Sequence, residues 1–130
     1  MIPIVHGTQA KEEWRAGVVT RMRISELTGS KELCVFEQWC APGTGAPRHT
    51  HRVEEVLSVI SGKVEVWLGD KIATFSQNES IIVPAGLEHG FCNVGNSELH
   101  MQAILAAGHF EANPSPQGDA IVRWRSTSPH

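Results

Sequence analysis

The sequence contains no stretch with the properties of a membrane span, a secretory signal or a basic nucleic-acid-binding segment. No apolar run approaches the roughly 20 residues that a membrane-spanning helix needs, and residues 1–13 lack a basic segment followed by a long apolar run. Eleven Lys and Arg residues are outnumbered by 14 Asp and Glu residues, and the net charge is −3. We therefore expect a soluble, cytoplasmic protein that has neither nucleic acid nor a membrane as a partner.

Cysteine is scarce, and its spacing excludes the common cysteine-based sites. The three cysteines, Cys34, Cys40 and Cys92, include no CxxC pair of the kind found in zinc and redox motifs. If Cys34 and Cys40 lie on one strand, their Cα atoms are about 20 Å apart, far beyond the reach of a disulfide. We expect three reduced thiols, which agrees with a cytoplasmic location.

A sustained helical period is missing as well. Short runs of alternating apolar or β-branched residues recur instead, separated by turns that contain glycine or asparagine. Two such turns, Gly69-Asp70 and Gly95-Asn96-Ser97, are predicted to close β-hairpins, and residues 80–83 to form a short buried strand. About ten strands without an internal repeat predict one all-β domain, a barrel or a sandwich.

Residues 43–62 contain the side chains that indicate a functional site. His49 and His51 are one residue apart, so on a strand their imidazoles lie on the same face, about 6.6 Å apart along the chain. Glu55 has the same parity, but on a straight strand its Cα would lie roughly 13 Å beyond that of His51. We therefore predict that the chain bends or changes strand between His51 and Glu55. Glu54 is the alternative carboxylate, although the spacing favours Glu55.

A second candidate segment, residues 84–93, supplies another histidine. Pro84 fixes the backbone and Gly86 permits an unusual turn, so that together they direct a strand that begins at His89. Three neutral imidazoles and one carboxylate form a ligand set that suits a first-row divalent metal ion. The sequence therefore predicts a metal site built from two separate segments.

The two segments resemble the two motifs of the cupin family. The first motif is matched at every fixed position, with the intervals correct, by Gly43, His49, His51, Glu55 and Gly62. The second is matched by Pro84, Gly86, His89 and Asn93. Its leading glycine is replaced by Asn78, and because asparagine tolerates a positive φ we expect the turn there to survive. The spacing between the motifs resembles that of small bacterial cupins.

The resemblance implies a single-domain antiparallel jelly-roll β-barrel. Residues 1–130 would form one cupin domain, with the motif-bearing core at about 16–107 between an N-terminal arm, residues 1–15, and a C-terminal tail, residues 108–130. It also implies one divalent transition metal ion per chain, iron, manganese, nickel or zinc. The residues that would bind it are His49, His51, Glu55 and His89.

Cupins of this kind are usually dimers, and the tryptophans fit that expectation. Trp39 and Trp67 share strand faces with charged residues and are predicted to be outward, where interface cores are enriched in aromatic residues. We therefore expect a homodimer. Trp14 and Trp124, near the two ends of the chain, are predicted to cover the barrel mouths or to form exchanged arms.

Gln38 and Phe91 are the candidates for lining the cavity. Gln38 shares a predicted strand face with Cys34, Phe36 and Cys40, where a polar side chain needs a partner such as a substrate or a water molecule. Phe91 has the same parity as His89 and is either a core residue or a platform for substrate.

Other charged and imidazole side chains are expected to lie outside the cavity. Arg48 and Arg52 have the opposite parity to the two motif histidines, so both are predicted to be outward. With no Arg or Lys at an inward motif position, the sequence disfavours a strongly anionic substrate. His6, His109 and His130 lie in weakly patterned regions and are predicted to be solvated.

Three functions follow from the implied metal site. The first is a metal-dependent oxygenase of a small enolic or thiol substrate. The second is a Lewis-acid isomerase or lyase that acts on a sugar, a uronate or a keto acid, and the third is a non-catalytic protein that binds a small ligand. The sequence contains no nucleophile–base pair and no phosphate-binding glycine loop. In all three cases we expect the partner to be a small-molecule substrate or ligand. Among the three functions, the oxygenase is slightly favoured.

Overall fold

The computed structural model describes residues 1–127 and consists almost entirely of β-strands. Within these residues no helix is long and apolar enough to cross a membrane. Two short 3₁₀ turns, His6–Thr8 and Glu26–Thr28, accompany twelve strands in the described part of the chain. The strands are β1 (Glu12–Arg15), β2 (Val18–Ile24), β3 (Cys34–Cys40), β4 (Gly45–Thr50), β5 (Glu55–Ser61), β6 (Lys63–Leu68), β7 (Lys71–Ser76), β8 (Ser80–Val83), β9 (His89–Asn93), β10 (Leu99–Leu105), β11 (Phe110–Pro114) and β12 (Ile121–Arg123).

The strands form two six-stranded antiparallel sheets. The first sheet has the order β1-β2-β3-β10-β5-β8, and the second has the order β12-β11-β4-β9-β6-β7. The chain crosses between the sheets after Thr50, since β4 lies in the second sheet and β5, which begins at Glu55, lies in the first. The predicted all-β fold and the predicted change of strand between His51 and Glu55 are both confirmed.

Alternate residues of the central strands fill the space between the sheets. Along β10, the residues at every second position, from Leu99 to Leu105, are buried, and those between them are only half-buried. In β3 the predicted face of Cys34, Phe36 and Gln38 is likewise buried, although Glu37 on the opposite face is buried as well. Period-two burial of this kind is what a strand with one solvent-facing side requires. The core of the fold therefore lies between the two sheets.

One of the two predicted hairpins is confirmed and the other is wrong. Gly69-Asp70 joins β6 to β7, which pair with Leu68 opposite Lys71. Gly95-Asn96-Ser97 instead carries the chain from β9 in the second sheet to β10 in the first. The Asn93 side chain closes this turn, because its amide donates to Ser97 O at 2.9 Å and its carbonyl oxygen accepts from Gly95 N at 2.9 Å. A turn held by a side chain needs no pairing between the strands that flank it.

Strands at the sheet edges also differ from expectation. β8 was predicted to be buried, but it is an edge strand in which Ile82 is 62% exposed and only Val83 is buried. After residue 107, where the sequence pattern fades, β11 pairs with both β4 and β12. β8 lacks a partner on one side, so its alternation is weaker and sequence periodicity describes it poorly.

We expect Asn93→Ala to destabilise the protein by about 2–4 kcal/mol, because it removes several buried hydrogen bonds at once. The side chain is 1% exposed, and besides its two bonds within the turn it donates to Cys40 O at 2.9 Å, which ties β9 to β3. Urea denaturation measures the loss. Asn96→Ala, at an exposed position of the same turn, is the control and should change stability by less than about 0.5 kcal/mol; equal effects of the two substitutions would contradict this role of Asn93.

Candidate metal-binding site

Three histidines from the two motif segments meet between the sheets. His49 lies in β4 opposite His89, the first residue of β9, and His51 follows directly after β4. The ring centroid of His49 is 4.2 Å from that of His89 and 4.8 Å from that of His51. One nitrogen from each of the three rings lies within 4.8 Å of the others. This group of three histidines can therefore hold a metal ion.

Each of the three rings is oriented by a backbone carbonyl. The Nδ1 atom of every ring lies within hydrogen-bond distance of a carbonyl oxygen, and because a carbonyl only accepts, Nδ1 carries the hydrogen. In a neutral ring the lone pair is then on Nε2. The acceptors are Pro47 O for His49 at 2.7 Å, Glu111 O for His51 at 2.7 Å and Leu87 O for His89 at 2.9 Å.

The Nε2 atoms of His49 and His51 are 3.2 Å apart. Two nitrogen lone pairs at this distance repel each other unless a proton or a cation lies between them. Carbonyl-bonded histidines are also the usual arrangement around a bound metal, since the second hydrogen bond fixes both the tautomer and the ring orientation. The donor set present in this chain therefore fits a divalent transition metal ion.

Glu55, and not Glu54, lies beside the three histidines. The Glu55 side chain is buried, and its Oε1 is 3.2 Å from His89 Nε2 and 3.5 Å from His51 Nε2, whereas Glu54 is exposed. Burial alone would raise the pKa of Glu55, but the hydrogen bonds and charges of His51 and His89 outweigh it and hold the pKa at about 2. The carboxylate is therefore ionised at neutral pH.

Burial and Glu55 set the protonation of the histidines in opposite directions. Burial, together with the neighbouring His89, lowers the pKa of His49 to about 4. Burial also acts against protonation of His51, but the hydrogen bond and charge of Glu55 prevail and raise the pKa of His51 above 6.5. In the metal-free protein His49 is thus neutral at neutral pH, while His51 holds a proton next to Glu55 below its raised pKa.

Metal binding is therefore expected to release a proton from His51. Below the raised pKa of His51 the metal must displace this proton, so affinity should fall as the pH falls, by about tenfold per pH unit. His49 should add to this loss only as the pH approaches its pKa of about 4. Calorimetric titration with Zn²⁺ in two buffers of different ionisation enthalpy, near pH 6 and near pH 8, counts the protons. Equal affinity and no proton release at both pH values would contradict the assignment.

The histidines and Glu55 lie on the wall of a cavity of about 80 Å³. More than half of its lining residues are apolar, including Phe36, Leu57 and Phe110. The two pocket candidates, Gln38 and Phe91, both lie in this wall, and each is 6% exposed. The Gln38 amide nitrogen donates to Thr20 Oγ1 at 3.0 Å, so it has a protein partner. The cavity is small and largely apolar, with its polar groups concentrated at the histidines and at three arginines.

Of those arginines, only Arg48 was predicted to be outward; Arg15 and Arg123 lie outside the two motif segments, where the sequence made no prediction. Arg15, Arg48 and Arg123 all line the wall, whereas Arg52 is exposed and does not. Arg15 ends β1 just after an irregularity in the pairing of β1 with β2, and Arg123 ends β12. Irregular pairing of this kind redirects side chains in a way that parity cannot show. The sequence feature that pointed to this end of the cavity was Trp14, which was predicted to cover a barrel mouth or to form an exchanged arm. Trp14 lines the cavity beside Arg15, and its ring centroid is 5.5 Å from that of Trp124.

The other aromatic and imidazole candidates have partners on the outer surface. Trp39 stacks on His100 at 4.8 Å with the Lys11 ammonium 4.2 Å from its ring, and the Arg48 guanidinium lies 5.9 Å from the Trp67 ring. His6 and His109 were predicted to be solvated, but both are half-buried. The His6 ring forms a hydrogen bond with Gln9, and the His109 ring forms one with Glu26. His130 lies outside the described residues. The homodimer stays a prediction.

Comparison with known proteins identifies related chains. The family described as "Cupin domain" matches residues 37–106. Auxin-binding protein 1 of Arabidopsis thaliana is 30% identical over 91 residues, which cover 63% of this chain and 46% of that protein. Xanthan biosynthesis protein XanB of Xanthomonas campestris pv. campestris is 30% identical over 79 residues, which cover 61% of this chain and 15% of that protein. The chain thus spans less than half the length of these curated relatives.

Solved structures share the fold. The polyketide cyclase RemF from Streptomyces resistomycificus superposes with a TM-score of 0.72 at 19% identity, over 98% of this chain and 88% of that chain. An RmlC-like cupin from Shewanella frigidimarina gives a TM-score of 0.69 at 19% identity, over 79% and 87%. KdgF from Halomonas sp. gives 0.69 at 14% identity, over 79% and 91%. At these identities the likeness is one of fold.

Proposed function

The chain belongs to the cupin family, and from that premise we propose that it binds one divalent transition metal ion and acts with it on a small organic molecule. The proposed ligands are His49, His51, Glu55 and His89. The observation that carries the proposal is the orientation of the three rings: each Nδ1 donates to a carbonyl, and the three Nε2 atoms converge next to an ionised carboxylate. Iron, manganese, nickel and zinc all accept such a set.

The chain's own groups prepare the site for this role. The carbonyl bonds hold the three rings in place, which spares the cost of ordering them when the ion binds. Such an ion acts as a Lewis acid towards a carbonyl or enol oxygen and, where it is redox-active, supplies electrons to dioxygen. Gln38 has its amide nitrogen engaged by Thr20, which leaves its amide oxygen to accept a hydrogen bond from a substrate hydroxyl. The apolar wall keeps the bound molecule away from bulk water.

Among the possible reactions, oxygenation of an enolic substrate has the best support. Apart from the four proposed ligands, the lining residues within positions 1–127 include no carboxylate, histidine, lysine, cysteine or tyrosine, and a guanidinium group has no hydrogen-bond acceptor. An isomerase or lyase needs a group that takes up and returns a substrate proton. No side chain of the described lining other than the proposed ligands is such a group, whereas an oxygenase depends chiefly on the ion and on the placement of the substrate.

A non-catalytic small-ligand-binding protein is the second candidate. The same lack of a spare acid–base group supports it, as does the 30% identity to a protein named for binding, auxin-binding protein 1. This candidate predicts that a bound ligand raises the unfolding temperature without being converted.

Oxygen consumption separates these candidates. The iron-reconstituted protein, given a panel of small β-diketones, enediols and thiols, should consume oxygen with at least one compound, and His49→Ala should abolish that consumption. Conversion that proceeds equally well under nitrogen would favour a Lewis-acid isomerase or lyase. Thermal stabilisation by a compound that is never converted would favour the binding protein. Either of these two results would overturn the oxygenase proposal.

A further inference from the structure

We propose that the organic molecule bound in this cavity carries a carboxylate group, and that Arg15 and Arg123 are the residues that bind this group. The inference deepens the proposed function, because it concerns the substrate class of the same cavity. Both arginines belong to the strands added at the two ends of the chain, β1 and β12, and both line the cavity together with the histidines.

Arg15 has unused hydrogen-bonding capacity. One of its terminal nitrogens donates to Gly45 O at 2.7 Å, which anchors the half-buried side chain against β4. Among residues 1–127 no carboxylate lies within 4.0 Å of its guanidinium, so its charge has no ion-pair partner there. A guanidinium presents five N–H donors in a planar fork, and a carboxylate is the geometrically matched acceptor.

Arg123 and Trp14 add buried donors that lack an acceptor among residues 1–127. Within that range the Nε of Arg123 and the Nε1 of Trp14 are both buried without a hydrogen-bond partner, although buried donors are nearly always satisfied in proteins. The Arg123 guanidinium lies 4.2 Å from the Trp14 ring centroid, and its nearest carboxylate, that of Glu12, is at the long distance of 3.8 Å. Among residues 1–127 the charge of Arg123 thus has one long ion pair, and an anion in the cavity that this arginine lines would supply a closer partner.

The charge balance of the cavity favours an anion. Of the three lining arginines, only Arg48 has a close ion pair within residues 1–127, to Glu88 at 3.0 Å, and Glu88 lies outside the lining. Burial lowers the pKa of Arg15, Cys40 acts in the opposite direction, and the charge of Arg123 lowers the pKa further. Two like charges that repel each other are stabilised when an anion binds between them. In the described part of the chain, the only acidic side chain in the lining is Glu55, which faces His51 and His89.

An aromatic path connects the arginines to the histidines. Trp14 packs on Phe110 at a centroid distance of 5.0 Å, and Phe110 packs on His51 at 5.5 Å. A molecule whose carboxylate is held by Arg15 and Arg123 can therefore lay its apolar body along Phe110 and reach the three histidines with its other end. The reacting end would then be distinct from the carboxylate.

The test uses matched pairs of small carboxylates and their neutral amides: acetate and acetamide, butyrate and butyramide, benzoate and benzamide. Each is titrated into the full-length, metal-free protein and followed by NMR, with the indole N–H signal of Trp14 assigned through Trp14→Phe. At least one carboxylate should bind about tenfold more tightly than its amide and should shift the Trp14 indole signal. Arg15→Gln and Arg123→Gln should each remove this preference, and Arg123→Lys should retain part of it.

Arg52→Gln is the matched control, because Arg52 follows His51 in the chain but is exposed and does not line the cavity. It should keep the full preference for carboxylate, and the dispersion of each variant's spectrum shows whether it is folded. No carboxylate preference in the wild-type protein, or a preference that survives in the folded Arg15→Gln and Arg123→Gln variants, would overturn the inference. Since these titrations contain no metal, a failure of metal binding would overturn the proposed function and leave this result standing.

Discussion

Replacing Gly45 by alanine should destabilise the protein by about 3 kcal/mol or more and weaken metal binding as well. A Cβ at this position would lie 2.0 Å from Phe91 O and 2.8 Å from Phe91 C. These are backbone atoms of the neighbouring strand, so no rotamer change relieves the clash. β4 carries His49 and β9 carries His89, and the two strands pair with Gly45 opposite Cys92. Forcing them apart would therefore separate two of the histidines.

Urea denaturation gives the change in stability, and a competition titration with a chromophoric zinc chelator gives the change in affinity. Gly7→Ala is the matched control, because a Cβ there meets nothing within 4 Å and the residue lies far from the site in the chain. This control should alter stability by less than about 0.5 kcal/mol and leave the affinity unchanged. Equal stability and equal zinc affinity in Gly45→Ala and Gly7→Ala would contradict the close approach of β4 and β9 at Gly45.

His89→Ala should lower metal affinity about 100-fold or more, since changing even an outer-shell partner of a metal ligand typically costs 10–100-fold. His89 is 1% exposed, and its ring centroid is 4.2 Å from that of His49 and 5.1 Å from that of His51. Its Nε2 contacts the Glu55 carboxylate. Its removal takes away one proposed ligand and the ring nitrogen that lies 3.2 Å from the Glu55 carboxylate. Competition titration with Zn²⁺ or Co²⁺ measures the loss.

His6→Ala provides the matched histidine deletion, since His6 bonds only Gln9 among the described residues and lies outside the group of three. Its affinity for the ion should equal that of the wild-type protein. Equal affinity in His89→Ala and His6→Ala would mean that the ion binds elsewhere.

The central part of the site was predictable from the sequence because it depends on local spacing. The HxH pair fixes two imidazoles on one strand face, and the interval to Glu55 requires a change of strand, which the structure places between Thr50 and Glu55. The positive φ of 67° at Asn78, where the second motif departs from glycine, likewise follows from the tolerance of asparagine for that conformation. Each of these features depends on a few neighbouring residues.

The wall of the cavity was less predictable because it depends on pairing between distant segments. Arg15 and Arg123 are more than a hundred residues apart in the sequence, and they line one cavity because β1 and β12 lie at the ends of the two facing sheets. The turn after Asn93 shows the same limit: Gly95-Asn96-Ser97 has the composition of a hairpin, but the flanking strands have partners in different sheets. Composition describes the turn and not the strands that flank it.

Elemental analysis of the protein, purified without a histidine tag or added metal, is the sharpest test of the proposed metal site. We expect close to one equivalent of a single transition metal per chain in the wild-type protein and in His6→Ala, and almost none in His89→Ala. Negligible metal in the wild-type protein, even after incubation with iron, manganese, nickel or zinc salts and desalting, would contradict it. The cavity would then be a ligand pocket that works without an ion.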